Sequence, residues 1–385
     1  LVFGTIVASG ASGAAVLFGA EDAADAVLLP LDPAPNTSFY AFAAAPVGDI
    51  NGDGAPDVVV SGFKPDFSGS AAGVYFGCPP ATPDCRAAIA QADAGVTHSG
   101  GRFFSHVAGV GNFYGRSGDA QPLNDFALGG DNGGSNRVTV VAGRTNWPAL
   151  PAVVELNAPG DAVGVVELQS TQGRAGQYIG GLGDLNGDGF AEMAIGGGPT
   201  LDLTEVFFGS EDPATPIQVQ PPHLVLANPC PSAAPTFGSF FAGGVDLDGD
   251  VDGRPDFIVS NRGNKRIVVF DQDLANLDCI RRNEQLWGRT VDLAGDVDGD
   301  GFSDIVVTHG DQANTTVQVM YNDGMGRFGI GEGVVAQRAA DVSLGGPPYF
   351  KLAAAGAGRF DGDAYDDLAI IVKVPGGDLR VVVFH

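Results

Sequence analysis

The feature that most constrains this chain is a phrase that keeps returning: an apolar strand, a loop rich in Gly and Asp, a second apolar strand, a short turn, and a third strand that often ends in Phe-Gly. The clearest copy, VGDINGDGAPDVVVSG followed by AAGVYFG, runs from Val47 to Gly77. Others are GLGDLNGDGFAEMAIGG from Gly181, GGVDLDGDVDGRPDFIVS from Gly243 and AGDVDGDGFSDIVVTHG from Ala294, with weaker copies at Gly109 and Gly356. The last acid of each copy falls at Asp57, Asp125, Glu192, Asp256, Asp304 and Asp367. That spacing of roughly fifty to seventy residues suits one four-stranded blade of a radial array.

The expected fold is therefore all-β: a seven-bladed β-propeller of four-stranded antiparallel blades, with six or eight blades as alternatives. The start of the chain joins the series, because TIVASGASGAAVLFGAEDAA from Thr5 echoes EMAIGGGPTLDLTEVFFGSEDPA without its acidic loop. One domain is expected over 1–385, with a partial repeat at 1–37 and repeats near 38–100, 101–170, 171–230, 231–283, 284–345 and 346–385. The two chain ends are expected to share a blade, with Leu1 to Phe3 as the missing outer strand of the last unit. The 59 Gly and 25 Pro of the 385 residues agree, since both residues break helices and serve tight turns between short strands.

A net charge of -26 argues against nucleic acid or an anionic membrane as partner. The acids cluster in short loops, so a cation is the natural partner. No uninterrupted apolar stretch reaches membrane-spanning length, and the opening at Leu1, without Met or a basic region, reads as a trimmed or mature segment. Cys78 and Cys85 are close in sequence across two Pro residues and are expected to pair, leaving Cys230 with Cys279. Such pairing implies an oxidising compartment, hence an extracellular or cell-surface location, with the periplasm possible.

The intact loop reads Asp-x-Asp/Asn-x-Asp-Gly-x-x-Asp/Glu. It occurs as Asp49, Asn51, Asp53, Asp57; as Asp184, Asn186, Asp188, Glu192; and as Asp296, Asp298, Asp300, Asp304. Alternating acids in a tight loop direct several side-chain oxygens at one point, which suits Ca²⁺ better than the stricter octahedron of Mg²⁺. The seventh position would add its main-chain carbonyl, at Ala55, Phe190 and Phe302, with Arg254 in the corresponding place of the third loop, and the last acid would close the shell. The closing acid comes at the ninth position, not the twelfth, and the flanks are strands, so this is no EF-hand. The loop ending at Asp256 allows two registers, one through Asp248, Asp250 and Asp252 and one through Asp246, Asp248 and Asp250 with two residues inserted. The last loop keeps Asp361, Asp363 and Asp367 but has Arg359 in first place, where either an ion or an Arg–Asp pair would serve. The loop from Gly109 keeps only Asp119 and Asp125. About three to five structural Ca²⁺ ions are expected in all.

GDINGDGAPD, the Phe237-Gly238 start of FGSFFAGGVDLDGD, and the strands DVVVSG, EMAIGG and DLAIIV resemble FG-GAP repeats of the integrin-α propeller type. The resemblance implies Ca²⁺ loops between the first and second strands of each blade on one face of a disc, and ligand capture on the other. That other face would carry the loops near Gly62, Gly129, Ser260 and His309, with Arg262, Lys265 and Arg266 as the notable basic cluster.

The reading that follows is a calcium-stabilised, monomeric extracellular module that recognises a protein or glycan ligand. A lectin is the alternative, with Trp147, Trp287, Tyr349 and Phe350 as candidate sugar platforms. The histidines His98, His106, His223, His309 and His385 are scattered, and no nucleophile elbow or phosphate loop is present, so catalysis is not expected.

Overall fold

The computed structural model describes residues 3–7, 14–18, 27–32, 43–64, 66, 68–79, 89, 91–99, 104–115, 122–130, 137–156, 164–171, 176–196, 202–211, 219–230, 236–250, 252–261, 265–281, 288, 290–309, 316–328, 336–337, 342–344, 350–359, 363–373 and 379–384. Every regular element among them is a strand. Runs such as DVVVSG, RIVVF and DIVVTH are buried along their whole length. Such β-branched stretches are the kind that sheets covered on both faces require.

The strands form seven sheets and one two-strand ribbon among the described residues. Sheet I holds Phe3–Val7, Ala14–Phe18 and Val27–Leu31. Sheet II runs Ala44–Gly48, Asp57–Phe63, Gly69–Tyr75 and Ala94–Ser99. Sheet III runs His106–Gly111, Asp125–Gly129, Arg137–Val141 and Val165–Gln169. Sheet IV runs Tyr178–Gly183, Glu192–Gly196, Leu203–Phe207 and Leu224–Ala227. Sheet V runs Phe237–Val245, Asp256–Asn261, Arg266–Phe270 and Asn276–Arg281. Sheet VI runs Thr290–Gly295, Asp304–His309, Thr316–Met320 and Val342–Leu344. Sheet VII holds Phe350–Gly358, Asp367–Lys373 and Leu379–Phe384. Within each sheet the successive strands pair antiparallel.

The leading strands of sheets II to VII touch one another in chain order, and Phe3–Val7 touches both Ala44–Gly48 and Phe350–Gly358. The contacts therefore close on themselves, which is the radial arrangement of a β-propeller. Phe3 opens a strand of sheet I, and Leu379–Phe384 of sheet VII pairs with Asp367–Lys373, while Leu1 and Val2 lie outside the described residues.

Apolar side chains are buried between consecutive sheets and not in one central mass. Val59, Val74, Phe126 and Leu128 fill the II–III layer, and Val140, Leu168, Met193 and Ile195 the III–IV layer. Val206, Phe237, Phe257 and Val268 fill the IV–V layer, Ile258, Ile280, Ile305 and Phe328 the V–VI layer, and Val306, Val317, Leu368 and Ile370 the VI–VII layer.

Two further devices join neighbours. In sheets III, IV and VI the connection from third to fourth strand sends a two-residue strand back onto the outer edge of the preceding sheet. Val154–Glu155 pairs parallel with Ala94–Ser99, Val219–Gln220 with Val165–Gln169, and Ala336–Gln337 with Asn276–Arg281. These short strands occupy edge N–H and C=O groups that would otherwise invite other chains. The outer edge of sheet IV takes no such strand among the described residues, because sheet V closes its corresponding turn tightly from Asp271 to Ala275. There the Cys230–Cys279 disulfide links the end of sheet IV to the outer strand of sheet V. Cys78 is also disulfide-bonded, and its expected partner Cys85 lies outside the described residues.

Replacing Cys230 and Cys279 together by Ala should lower unfolding free energy by about 2 to 4 kcal/mol, by releasing a 49-residue separation in the unfolded chain. Chemical denaturation of the variant against the oxidised parent measures this.

Candidate metal centres

In sheets II to VII the first strand leads into the second through the acidic loop or its altered counterpart, so all six loops lie at the same end of their sheets. A bulge precedes the loop in each of these sheets, at Gly48, Gly183, Val245, Gly295 and Gly358 and beside Asp125. It breaks the pairing register where the chain turns out of the sheet.

Within the intact loops each acid is held by backbone. Asp49 accepts from the N–H of Gly52 (2.6 Å) and of Gly54 (2.8 Å), and Asp184 from Gly187 and Gly189 (2.8 Å each). Asp296 accepts from Gly299 (2.8 Å) and Gly301 (3.0 Å). Asn51, Asn186 and Asp298 accept from the residue two further on, as do Asp53, Asp188 and Asp300. Gly54, Gly189 and Gly301 have φ of 84°, 93° and 96° with open space where a Cβ would stand, so backbone conformation alone requires glycine there.

The same pattern settles the register of the third loop. Gly249 donates to Asp246 (2.7 Å), and Leu247 donates to Asp256 (2.7 Å) as Ile50 does to Asp57. Asp246, Asp248 and Asp250 thus stand where Asp49, Asn51 and Asp53 stand. Asp252 is drawn aside: Arg254 donates to it through Nε (2.9 Å) and Nη2 (2.7 Å). Oxygens of Asp246, Asp248 and Asp256 lie within 4.8 Å of one another, as do those of Asp296, Asp298 and Asp300.

The closing acid does more than the sequence suggests. Asp57, Asp125, Glu192, Asp256 and Asp304 are buried, and each accepts an N–H from its own loop, Asp256 also a second from Asp248 (3.1 Å), and another from just beyond the third strand. For Asp57 the donors are Ile50 (2.9 Å) and Gly77 (2.7 Å); for Asp125, Tyr114 (2.6 Å) and Gly143 (2.8 Å); for Asp304, Val297 (3.0 Å) and Asn322 (2.9 Å). Leu185 donates to Glu192 (2.7 Å), with Gly209 as the second donor, and Asp256 takes Leu247 (2.7 Å) and Gln272 (3.1 Å). This accounts for the glycine of the Phe-Gly ending, since a Cβ on Gly77 or Gly209 would collide with the carbonyl of Pro56 or Ala191.

These carboxylates carry excess negative charge. Burial pushes Asp57, Glu192, Asp256 and Asp304 up to about 7, and neighbouring loop acids add to the rise while the backbone donors oppose it. Among the described residues no Lys or Arg forms an ion pair with the acids of the II, IV and VI loops. The side-chain groups gathered in these loops are all oxygen donors to a metal, and those of loops II, IV and VI are not ion-paired among the described residues, so the residues fit a hard divalent cation.

Other expected positions fall differently. The loop of sheet III replaces acid with aromatic packing: Phe113 and Tyr114 are buried edge to face at 4.7 Å, and Tyr114–Gly115 pairs with Ser210–Glu211 of sheet IV. Asp363 accepts from Tyr365 (2.8 Å), Arg359 is exposed, and Asp361 and Asp119 lie outside the described residues. Trp147 is half-buried, stacks on Phe126 at 6.2 Å and donates to the Ile50 carbonyl (3.2 Å). Arg266 is buried and donates to the Cys230 carbonyl, which removes it from the basic cluster, and Arg262, Trp287 and Tyr349 lie outside the described residues.

Fold and loops together define a β-propeller with recurrent acidic loops, similar over part of its length to integrin α chains. The chain is 36% identical over 109 residues to integrin alpha-IIb of Mus musculus and 32% identical over 107 residues to integrin alpha-PS2 of Drosophila melanogaster. These matches cover 27% and 26% of this chain and only 10% and 7% of the two relatives. No protein-family model matches the chain. A solved structure titled "Structure of Dos1 propeller" aligns at 10% identity over 69% of this chain and 53% of its own, with a TM-score of 0.38, too low to carry any argument.

Asp125→Ala should cost about 2 to 4 kcal/mol by leaving two buried N–H groups without an acceptor, equally in calcium and in chelator, as read by chemical denaturation. A second expectation concerns pH. Folded-state values near 7, above the unfolded values near 4, mean that stability in chelator is greatest at low pH and is lost as pH rises through about 7. Melting in chelator should therefore shift downward between about pH 5.5 and 8, and saturating calcium should flatten that slope.

Proposed function

We propose that this chain is a calcium-stabilised extracellular binding module whose ions fasten the loops at one end of the ring, leaving the other end for a protein or glycan ligand. The observation that carries the reading is the repeated loop: four acidic loops built to one hydrogen-bond pattern, three of them with no Lys or Arg ion-paired to their acids among the described residues. Loops II, IV, V and VI each supply the donors for one ion, and loop VII, with Arg359 in first place, is the weakest candidate.

Structural ions act through linkage, each contributing RT ln(1 + [Ca²⁺]/Kd), or about 2.7 kcal/mol at one hundred times Kd. Extracellular modules bind calcium at roughly 10⁻⁴ to 10⁻³ M, a range that external fluids saturate. The disulfide at Cys230–Cys279 supports the same compartment. The similarity to integrin α chains supports recognition of a protein ligand and a role other than catalysis.

The end opposite the loops has features suited to capture. His106, Tyr178 and Phe240, from the leading strands of three consecutive sheets, form a row with ring centroids 5.9 and 5.5 Å apart. All three are half-buried, so they offer apolar area without being lost in the core. Burial lowers His106 to about 4, which keeps this row uncharged at neutral pH.

Thermal unfolding with and without chelator, with metal analysis of the purified protein, tests the reading. Calcium should raise the midpoint by roughly 10 °C and copurify at three to five ions per chain. An unchanged midpoint with no bound calcium would overturn it.

A further inference from the structure

The acidic loops are not independent of one another. In sheets III to VII the residue two before the closing acid lies against the glycine that stands fourth in the loop of the preceding sheet. The pairs are Leu123 on Gly52, Phe190 on Gly115, Arg254 on Gly187, Phe302 on Gly249 and Tyr365 on Gly299. A Cβ on these glycines would overlap Phe190 and Tyr365, and would lie 2.7 Å from Phe302, 3.3 Å from Leu123 and 3.6 Å from Arg254. Five consecutive junctions repeat this contact with five side chains of three chemical kinds.

The covered glycine is well placed to matter. In loops II, IV, V and VI it is the residue whose N–H donates to the first acid, at 2.6, 2.8, 2.7 and 2.8 Å. A side chain from the next sheet thus bears on the peptide that orients the first acid. At the VI–VII junction the hold is double. The N–H of Asp366 donates to the Asp296 carbonyl, and the N–H of Asp296 donates to the Asp366 carboxylate, both at 2.8 Å. Tyr365 is 47% exposed, so packing in the core does not explain its place.

We propose that the residues two before Asp125, Asp256, Asp304 and Asp367 are positioning residues for the cation loops of the preceding sheets, and that Tyr365 in this way orders Asp296 to Asp304. The inference rests on the calcium reading above. It gives the seventh sheet's loop a role that needs no ion of its own, and it couples neighbouring loops, since ordering one presents its side chain to the next. Groups that orient metal ligands from outside the coordination shell typically change affinity by about 10- to 100-fold when removed.

The test uses the full chain with calcium titration calorimetry, and with Tb³⁺ as a luminescent probe excited through tyrosine. Tyr365→Ala should weaken one calcium site about 10-fold. The effect should vanish on an Asp296→Asn, Asp298→Asn background, where that site is already disabled. Tyr365→Phe, which keeps the ring, should restore wild-type affinity while losing the part of the Tb³⁺ emission that the double Asn variant also loses. Melting of Tyr365→Ala in chelator should match the parent, which separates positioning from general stability. Unchanged calcium affinity in Tyr365→Ala, with calcium bound by the parent, would overturn the positioning role alone. No calcium binding by the parent would overturn the role and the reading beneath it together.

Discussion

A carboxylate buried at the head of the second strand, with one oxygen on its own loop and the other on the end of the third strand, is the interaction on which the rest depends. Hydrogen bonds to a charged acceptor contribute about 1.5 to 3 kcal/mol each, and this group makes at least two of them at Asp57, Asp125, Asp256 and Asp304. It fixes where the loop leaves the sheet and where the third strand ends. Its cost is a charge held away from water, and the neighbouring acids increase that cost. Sheet III keeps the clamp while filling the loop with Phe113 and Tyr114, so the clamp is separable from any ion.

The layered cores follow from the same geometry. Once the second strand is fixed in the middle of its sheet, its two faces meet two different neighbours: on Asp304–His309, Ile305 and Val307 face sheet V, while Val306 faces sheet VII. Backbone bonds then run between loops. The carbonyls of Asp49, Asn112 and Asp296 accept from Asn124, Ala191 and Asp366, the residues just before the next closing acids. Pro255 occupies that place in sheet V and has no N–H to give. Arg254 supplies the bond instead, to the Leu185 carbonyl at 3.0 Å.

Much of this was legible in the residues. The loops and the strands that follow them were marked by Asp-x-Asp/Asn-x-Asp-Gly before an apolar run, because liganding acids and buried β-branched residues are chemically unlike anything else in the chain. The register at Asp246 was not, since two spacings of identical acids fit equally well and only the Gly249 and Leu247 bonds decide between them. The inward turn of Arg266 and the stacking of Trp147 on Phe126 depend on contacts made across sheets, which local sequence does not report. The parallel pairs at Val154–Glu155, Val219–Gln220 and Ala336–Gln337 are two residues long, too short for any periodicity to reveal.

Those short parallel pairs all point one way along the chain. In each, a later segment finishes the border of the sheet made just before it, so a sheet emerging during synthesis keeps a raw border only until the following repeat appears. Folding can then advance from the amino-terminal end in step with translation, each unit sealed by its successor. At the fourth sheet, where the following turn is too tight to reach back, the sulfur bridge to Cys279 takes over the fastening, and sealing there waits on oxidation as well as on length.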